Sequence, residues 1–191
     1  MSQTNVAIKQ AQKLNGIDTE ALAGALAAVQ ADARNAHLAF RAKTAWQGQL
    51  RSVTEISSYD FVDQTIVRRH RIGTDEPVEI LGENSAPNPQ DLLLAALASC
   101  MTVGFVVAAT AEGIRLDSLE IETACALDLR GAFGLDPAVP PGARVIKYTI
   151  RVRGDGTREQ FEAIHQAVTQ TSPNYYHLAN AIPLASELVV G

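Results

Sequence analysis

Cysteine is scarce in this chain: 191 residues hold only Cys100 and Cys125, and neither belongs to a CxxC pair. That excludes a disulfide-stapled scaffold and a thiolate zinc site. The four histidines (His37, His70, His165 and His177) are scattered without the spacing of metal ligands. There is no glycine-rich phosphate loop and no GxSxG nucleophile elbow. Excess positive charge is missing as well, since the net charge is −5 and the pI is near 5.3, which argues against a nucleic-acid-binding surface. No metal or cofactor is expected. With these classes removed, a thiol is the strongest chemical candidate.

What the chain does have is apolar residues, 47% of the total, and enough length for one domain with a core or one domain plus an appendage. They concentrate in the run NPQDLLLAALASCMTVGFVVAATAEG, Asn88 to Gly113, where sixteen of the twenty residues from Leu92 to Ala111 are apolar. That density predicts one long helix covered on nearly every side, with Cys100 near its middle. Pro89 suits the first helical turn and Gly113 the left-handed residue that closes a helix. Twenty residues would also cross a bilayer, but Ser99, Thr102, Gly104 and Thr110 interrupt the run, and Glu83 and Asp91 stand upstream in place of basic residues. Met1 to Leu14 lacks the pattern of a signal peptide. A soluble, cytoplasmic protein is therefore expected, with no membrane partner.

Around this helix the periodicity changes repeatedly. Asn5 to Leu14 has helical spacing ending at Asn15-Gly16, and a second helix is expected from Asp18, with Leu22, Leu26 and Val29 on one face. Residues 1–35 thus read as a helical appendage, and 36–191 as the main domain. Leu38, Phe40 and Ala42 alternate up to a turn at Trp46-Gln47-Gly48, and Val53 to Asp60 and Thr65 to Ile72 predict two more strands of an antiparallel meander. Alternation places Arg68 and His70 on one side of the last strand and Arg69 and Arg71 on the other. This is either a solvated edge strand or one that sends an arginine to a neighbouring subunit's anionic site.

After Gly113, period two returns through Leu119, Ile121, Cys125, Leu127 and Leu129, which makes Cys125 a small buried hydrophobe. Gly131 to Gly142 reads as a loop, and Val145 to Arg153 as a strand with Ile146, Tyr148, Ile150 and Val152 inward. Thr157 and Gln160 form a capping-box pattern for a helix burying Phe161, Ile164 and Val168, with His165 in a structural place beside them. Thr171-Ser172-Pro173 opens a short helix, and Pro183 to Val190 alternates as a final strand.

This order predicts an α+β fold of antiparallel sheets around a long central helix. The run NPQDLLLAALASCMTVG, followed by AAEGIRLDSLEIE and later by SPNYYHLANAIPL, resembles the signature of the OsmC/Ohr family, the osmotically inducible protein C and organic hydroperoxide resistance proteins. The match runs from about Phe40 to Val190 and leaves the N-terminal helices outside. The resemblance implies an intertwined homodimer with active sites at its interface, reducing organic hydroperoxides with an external thiol as reductant. It implies that Cys100 is the peroxidatic cysteine. The chain departs from the family pattern at three points. Ser172 stands where a second, resolving cysteine is found. Gln90 stands where an acidic residue precedes the cysteine by ten positions, with Glu83 and Asp91 nearby, and Arg51 is the nearest counterpart of the arginine that holds the thiolate. The candidate site is therefore Cys100 with Arg51 and Glu83.

Cys100 lies too deep in its helix for the N-terminal dipole to reach it, and its own face (Leu93, Ala96, Leu97, Val103 and Val107) is apolar. Read from spacing alone it is a packed core thiol; the resemblance makes it a nucleophile. Three functions are open: a one-cysteine peroxidase in oxidative-stress defence, a non-catalytic protein binding a small apolar ligand at the dimer interface, and an assembly module whose N-terminal helices recruit a partner.

Overall fold

The computed structural model describes residues 13–191, and the first reversal in it is at Asn15-Gly16, where both residues take positive φ (52° and 81°). Asparagine and glycine tolerate that region best, so the pair forms a two-residue hairpin turn rather than a helix stop. Lys13–Leu14 (β1) and Ile17–Asp18 (β2) pair across it. The expected helix Asn5–Leu14 is thus corrected at its last two residues, and the rest of it lies outside the described residues. The helix expected from Asp18 is present as Thr19–Ala31 (α1), where the Asp18 carboxylate accepts the Ala21 N–H at 3.0 Å. None of its residues is buried, and Leu26 and Val29 stay exposed.

Of the described residues, 13–93 and 94–191 form two compact units. In the first, the predicted meander is a sheet in which Ser52–Phe61 (β5) is the middle strand. On one edge it carries Leu38–Phe40 (β3) and Lys43–Trp46 (β4), which are two pieces of one strand broken at Arg41-Ala42. On the other edge lies Gln64–Thr74 (β6). The register jumps from Ile56 paired with His70 to Ser58 paired with Val67, so a bulge interrupts the ladder at Arg68-Arg69 and the expected strict alternation of the basic cluster fails there. The Arg68 guanidinium lies over the rings of Tyr59 (5.0 Å) and Phe40 (5.6 Å), a cation–π contact inside its own sheet.

The long helix is present as Pro89–Ala111 (α2). At its start the Asn88 side chain accepts the Asp91 N–H (2.8 Å) while the Asp91 carboxylate accepts the Asn88 N–H (3.0 Å), a reciprocal cap. At its end Gly113 (φ 73°) donates to the Thr110 carbonyl and Ile114 to that of Ala109, which satisfies the last carbonyls and brings the apolar pair Ala109 and Ile114 together in the core. The hydroxyls that interrupt the apolar run are satisfied within the helix, Thr102 on the Ala98 carbonyl (2.9 Å) and Thr110 on that of Val106 (2.7 Å). By length and composition α2 is the one helix among the described residues that could cross a membrane.

The second unit is built on one stripe of this helix. Leu97, Met101, Phe105 and Ala109, spaced by four, are buried with Ile114, Ile164 and Val168. Against them pack Leu119 and Ile121 of Leu116–Cys125 (β7) and Ile146, Tyr148, Ile150 and Val152 of Ile146–Gly154 (β8), the alternating inward set expected from the sequence. Arg158–Thr171 (α4) contributes Ile164 and Val168, and its Thr157–Gln160 capping box forms as predicted. Leu97, Met101, Phe105, Ile164 and Val168, buried almost completely, each contribute about 1.5–3 kcal/mol by leaving water.

Three expectations need correction. The helix is not covered on nearly every side: Val103 is 64% exposed and Leu93 is exposed too, because the stripe that meets β7, β8 and α4 in the second unit is only one side of it. The loop after β7 begins with a helical turn, Leu129–Ala132 (α3), because the Asp128 carboxylate caps the Arg130 N–H at 3.0 Å. Residues 181–191 form neither helix nor strand, and Leu184 and Leu188 are 90% and 88% exposed. Alternation there is not enough for a strand, because among the described residues no neighbouring strand supplies a ladder.

Met101 is fully buried, so Met101→Ala should lower the unfolding free energy by about 2–5 kcal/mol in urea denaturation. Gln166→Ala on the exposed face of α4 should change it by only about 0.5 kcal/mol.

Candidate functional site

Cys100 is half-buried, three residues after Leu97 and one before Met101, so the buried stripe sets the direction of its side chain. The Ser172 hydroxyl donates to its sulfur, with Oγ and Sγ 3.3 Å apart. Ser172 is itself buried, and it caps Pro173–Ala179 (α5) by accepting the Tyr175 N–H at 3.3 Å. Next in the chain, Asn174 donates its side-chain amide to the Ala96 carbonyl at 2.8 Å. That carbonyl lies one helical turn before Cys100, so two polar contacts from the start of α5 bracket the sulfur. Behind them, Tyr175 meets Tyr148 edge-to-face (6.2 Å) and the Tyr148 hydroxyl bonds His165 Nε2 at 3.0 Å. Burial pushes the Tyr148 hydroxyl pKa upward, the nearby Tyr175 adding to it. His165 thus has a structural partner, as the sequence suggested.

Arg51 and Glu83, the other predicted site residues, are brought together in the first unit. The Arg51 guanidinium donates to Glu83 Oε2 at 3.0 Å, and both side chains are partly exposed. Arg51 leaves a turn closed by the Gln47 N–H on its own carbonyl (2.9 Å), and among the described residues its buried Nε has no hydrogen-bond partner. Asp91 is occupied in capping α2, and Gln90 lies in that helix's first turn. Cys125 is half-buried near the end of β7 opposite Ile146, and it is not among the side chains packed on the core.

Sequence reasoning missed the residue that places Glu83. Asp75 is 1% exposed and accepts four hydrogen bonds, from the N–H of Glu76 (2.8 Å), Glu83 (3.1 Å) and Ser85 (3.0 Å) and from the Ser85 hydroxyl (2.8 Å). The Ser85 bonds, ahead of those from Glu76 and Glu83 and against the opposing effect of burial, hold its carboxyl down to about 2. Gly82 completes the loop: a Cβ there would come within 1.7 Å of the Glu76 carbonyl oxygen, so only glycine fits. The signal available in the sequence was the cluster of Asp75, Pro77, Gly82 and Ser85 between β6 and α2, which marks a structured turn region.

A cavity of about 930 Å³ opens in the second unit, with Phe105, Leu119, Ile150, Val152 and Phe161 on its floor and Ser118, Glu120, Arg151, Arg153, Arg158, Glu162 and His165 around them; Cys100 does not line it. Among the described residues no group of three or more His, Cys, Asp or Glu side chains could hold a metal.

Comparison with known proteins fits this architecture. A family model described as OsmC-like protein matches residues 82–187, more than half of the chain and including Cys100 and Ser172. No curated protein matches the sequence. Among solved structures, an OsmC-like protein from Mycoplasma pneumoniae superposes with a TM-score of 0.58 at 14% identity, over 73% of this chain and 86% of that one. A protein from Psychrobacter arcticus 273-4 described as a putative osmotic stress induced and detoxification response protein gives 0.50 at 24% identity, over 70% and 84%. At these identities the likeness is one of fold.

Because hydrogen bonds depress the Asp75 pKa, its stabilising contribution is complete above the ~3.9 of an unfolded aspartate and is lost as pH falls from there through about 2. The amide resonance of Ser85 should therefore hold steady from pH 7 to 4 and titrate with a midpoint near 2. A midpoint near 4 would contradict the four-bond arrangement.

Proposed function

Starting from the fact that the chain belongs to the OsmC-like protein family, we propose that it is a peroxidase-like protein of oxidative-stress defence that reduces organic hydroperoxides through Cys100. The observation that carries this reading is the sulfur itself: half-buried on a rigid helix, with a hydroxyl donor 3.3 Å away. A thiolate is the nucleophile in such chemistry, and the buried hydroxyl holds the sulfur at one place beside the start of α5.

The steps balance in atoms and electrons. The Cys100 thiolate attacks the distal oxygen of ROOH, the O–O bond breaks, and RO⁻ takes a proton to leave as ROH. The sulfur becomes a sulfenic acid. An external thiol then displaces water to give a mixed disulfide, and a second thiol releases the disulfide product and restores Cys100. Cys125, on a separate strand, has no part in the cycle. Arg51, paired with Glu83, is the cation we assign to steadying the thiolate, and we place the working unit as a cytoplasmic homodimer. The exposed apolar side chains Val103 of α2 and Phe40 and Trp46 of the first unit support that placement, because a partner would remove them from water.

The second reading, a non-catalytic protein binding a small apolar ligand, is favoured by one observation, the apolar floor of the cavity in the second unit. The two separate experimentally. Cys100→Ser should reduce hydroperoxide consumption in the presence of a dithiol to the uncatalysed rate, while Cys125→Ser should retain activity within about twofold, as expected for a residue away from the chemistry. If both variants consume hydroperoxide like the parent protein, the peroxidase reading fails.

A further inference from the structure

The geometry points to a binding site for a small aromatic monocarboxylate in the cavity of the second unit, with the ring on the apolar floor and the carboxylate on Arg153. The inference rests on the cavity that favours the second reading above and goes beyond it by giving the ligand a charge. It stands whether or not Cys100 turns over hydroperoxide.

Three observations carry it. First, the floor suits a flat apolar body. The Phe105 and Phe161 rings lie nearly parallel, with 25° between their planes and 6.3 Å between centroids, and Leu119 and Val152, partners across the β7–β8 ladder, extend the same surface. The volume of about 930 Å³ matches small-molecule sites, which run from about 300 to 1,000 Å³.

Second, the cations of the wall are neutralised with one exception. Arg151 donates to Glu120 at 2.9 Å and to Glu122 at 2.8 Å, and Arg158 donates to Glu162 at 2.8 Å. Among the described residues, Arg153 has no acidic side chain within ion-pair distance. Ser118, opposite Arg153 in the ladder, also lines the cavity and brings a hydroxyl to the same end of the strands. A guanidinium and a hydroxyl can both donate, so this end receives an anion.

Third, the acids of the wall limit that anion to one charge. Glu120 and Glu162 line the cavity and repel a phosphate ester with two charges, whereas a carboxylate meets the single uncompensated cation. A neutral ligand would gain the floor and leave Arg153 unused.

The test is isothermal titration calorimetry on the full-length protein, without hydroperoxide, using naphthylacetate, its neutral amide naphthylacetamide, and naphthyl phosphate. One naphthylacetate should bind per chain, about tenfold more tightly than the amide or the phosphate. Arg153→Gln should weaken naphthylacetate about tenfold, to the level of the amide, while amide binding and hydroperoxide consumption stay within about twofold. Glu162→Gln, which removes one repelling acid and releases Arg158, should strengthen naphthyl phosphate about fivefold. Both positions are exposed, so neither substitution threatens the fold. Equal affinity for naphthylacetate and its amide, or naphthylacetate binding unchanged in Arg153→Gln, would overturn the inference and leave the apolar-ligand reading standing. Binding of neither compound, including the case in which a second copy of the chain covers the cavity, would overturn both. Preference for naphthylacetate in a protein that also consumes hydroperoxide would uphold this site and sink only the non-catalytic reading.

Discussion

The burial of a single stripe of α2 is the constraint on which the second unit depends. Leu97, Met101, Phe105 and Ala109 recur every four residues, and together with Ile114, Ile164 and Val168 they hold β7, β8 and α4 onto the helix. A helix fixed along one stripe cannot roll. Cys100, adjacent to Met101, is therefore delivered to the start of α5 by packing rather than by any polar attraction of its own. The capped ends of α2 serve the same purpose: the Asn88–Asp91 cap and the Gly113 closure satisfy backbone groups that would otherwise fray the helix.

On this scaffold the polar groups divide their work. Ser172 joins a helix cap to a thiol contact, and Asn174 ties the same turn to α2. In the first unit a buried aspartate, Asp75, organises the loop that presents Glu83 to Arg51, so the Arg51–Glu83 ion pair rests on four hydrogen bonds to a carboxylate that neither side chain of the pair touches. As a partly exposed pair it adds little stability of its own.

Much of this was legible in the sequence wherever a local rule dominates. The limits of α2, the Thr157–Gln160 capping box and the inward alternation of β8 come from caps and periodicity, and the structure has them as read. What failed depends on information a single segment does not carry. Pro183 to Val190 alternates like a strand, but a ladder needs a neighbour. Lys13-Leu14 looked helical until the positive φ of Asn15 and Gly16 turned it into a hairpin. The apolar density of α2 suggested burial all round, yet composition cannot say which face has a partner within the chain. The site divides similarly. Cys100 stands out because it is the one thiol in the apolar helix, whereas its contact with Ser172 spans 72 positions and Asp75 works mainly through backbone amides, so that the cluster with Pro77, Gly82 and Ser85 marks a turn but not its partners.

The central claim is that Cys100 is the sulfur that meets the oxidant. It is tested most directly by exposing the protein to one equivalent of an organic hydroperoxide with a 1,3-diketone that traps sulfenic acids, then mapping the adduct by peptide mass spectrometry. The account predicts the adduct on the Cys100 peptide and none on the Cys125 peptide. Hydroperoxide consumption with Cys100 unmodified, or an adduct confined to Cys125, would contradict it.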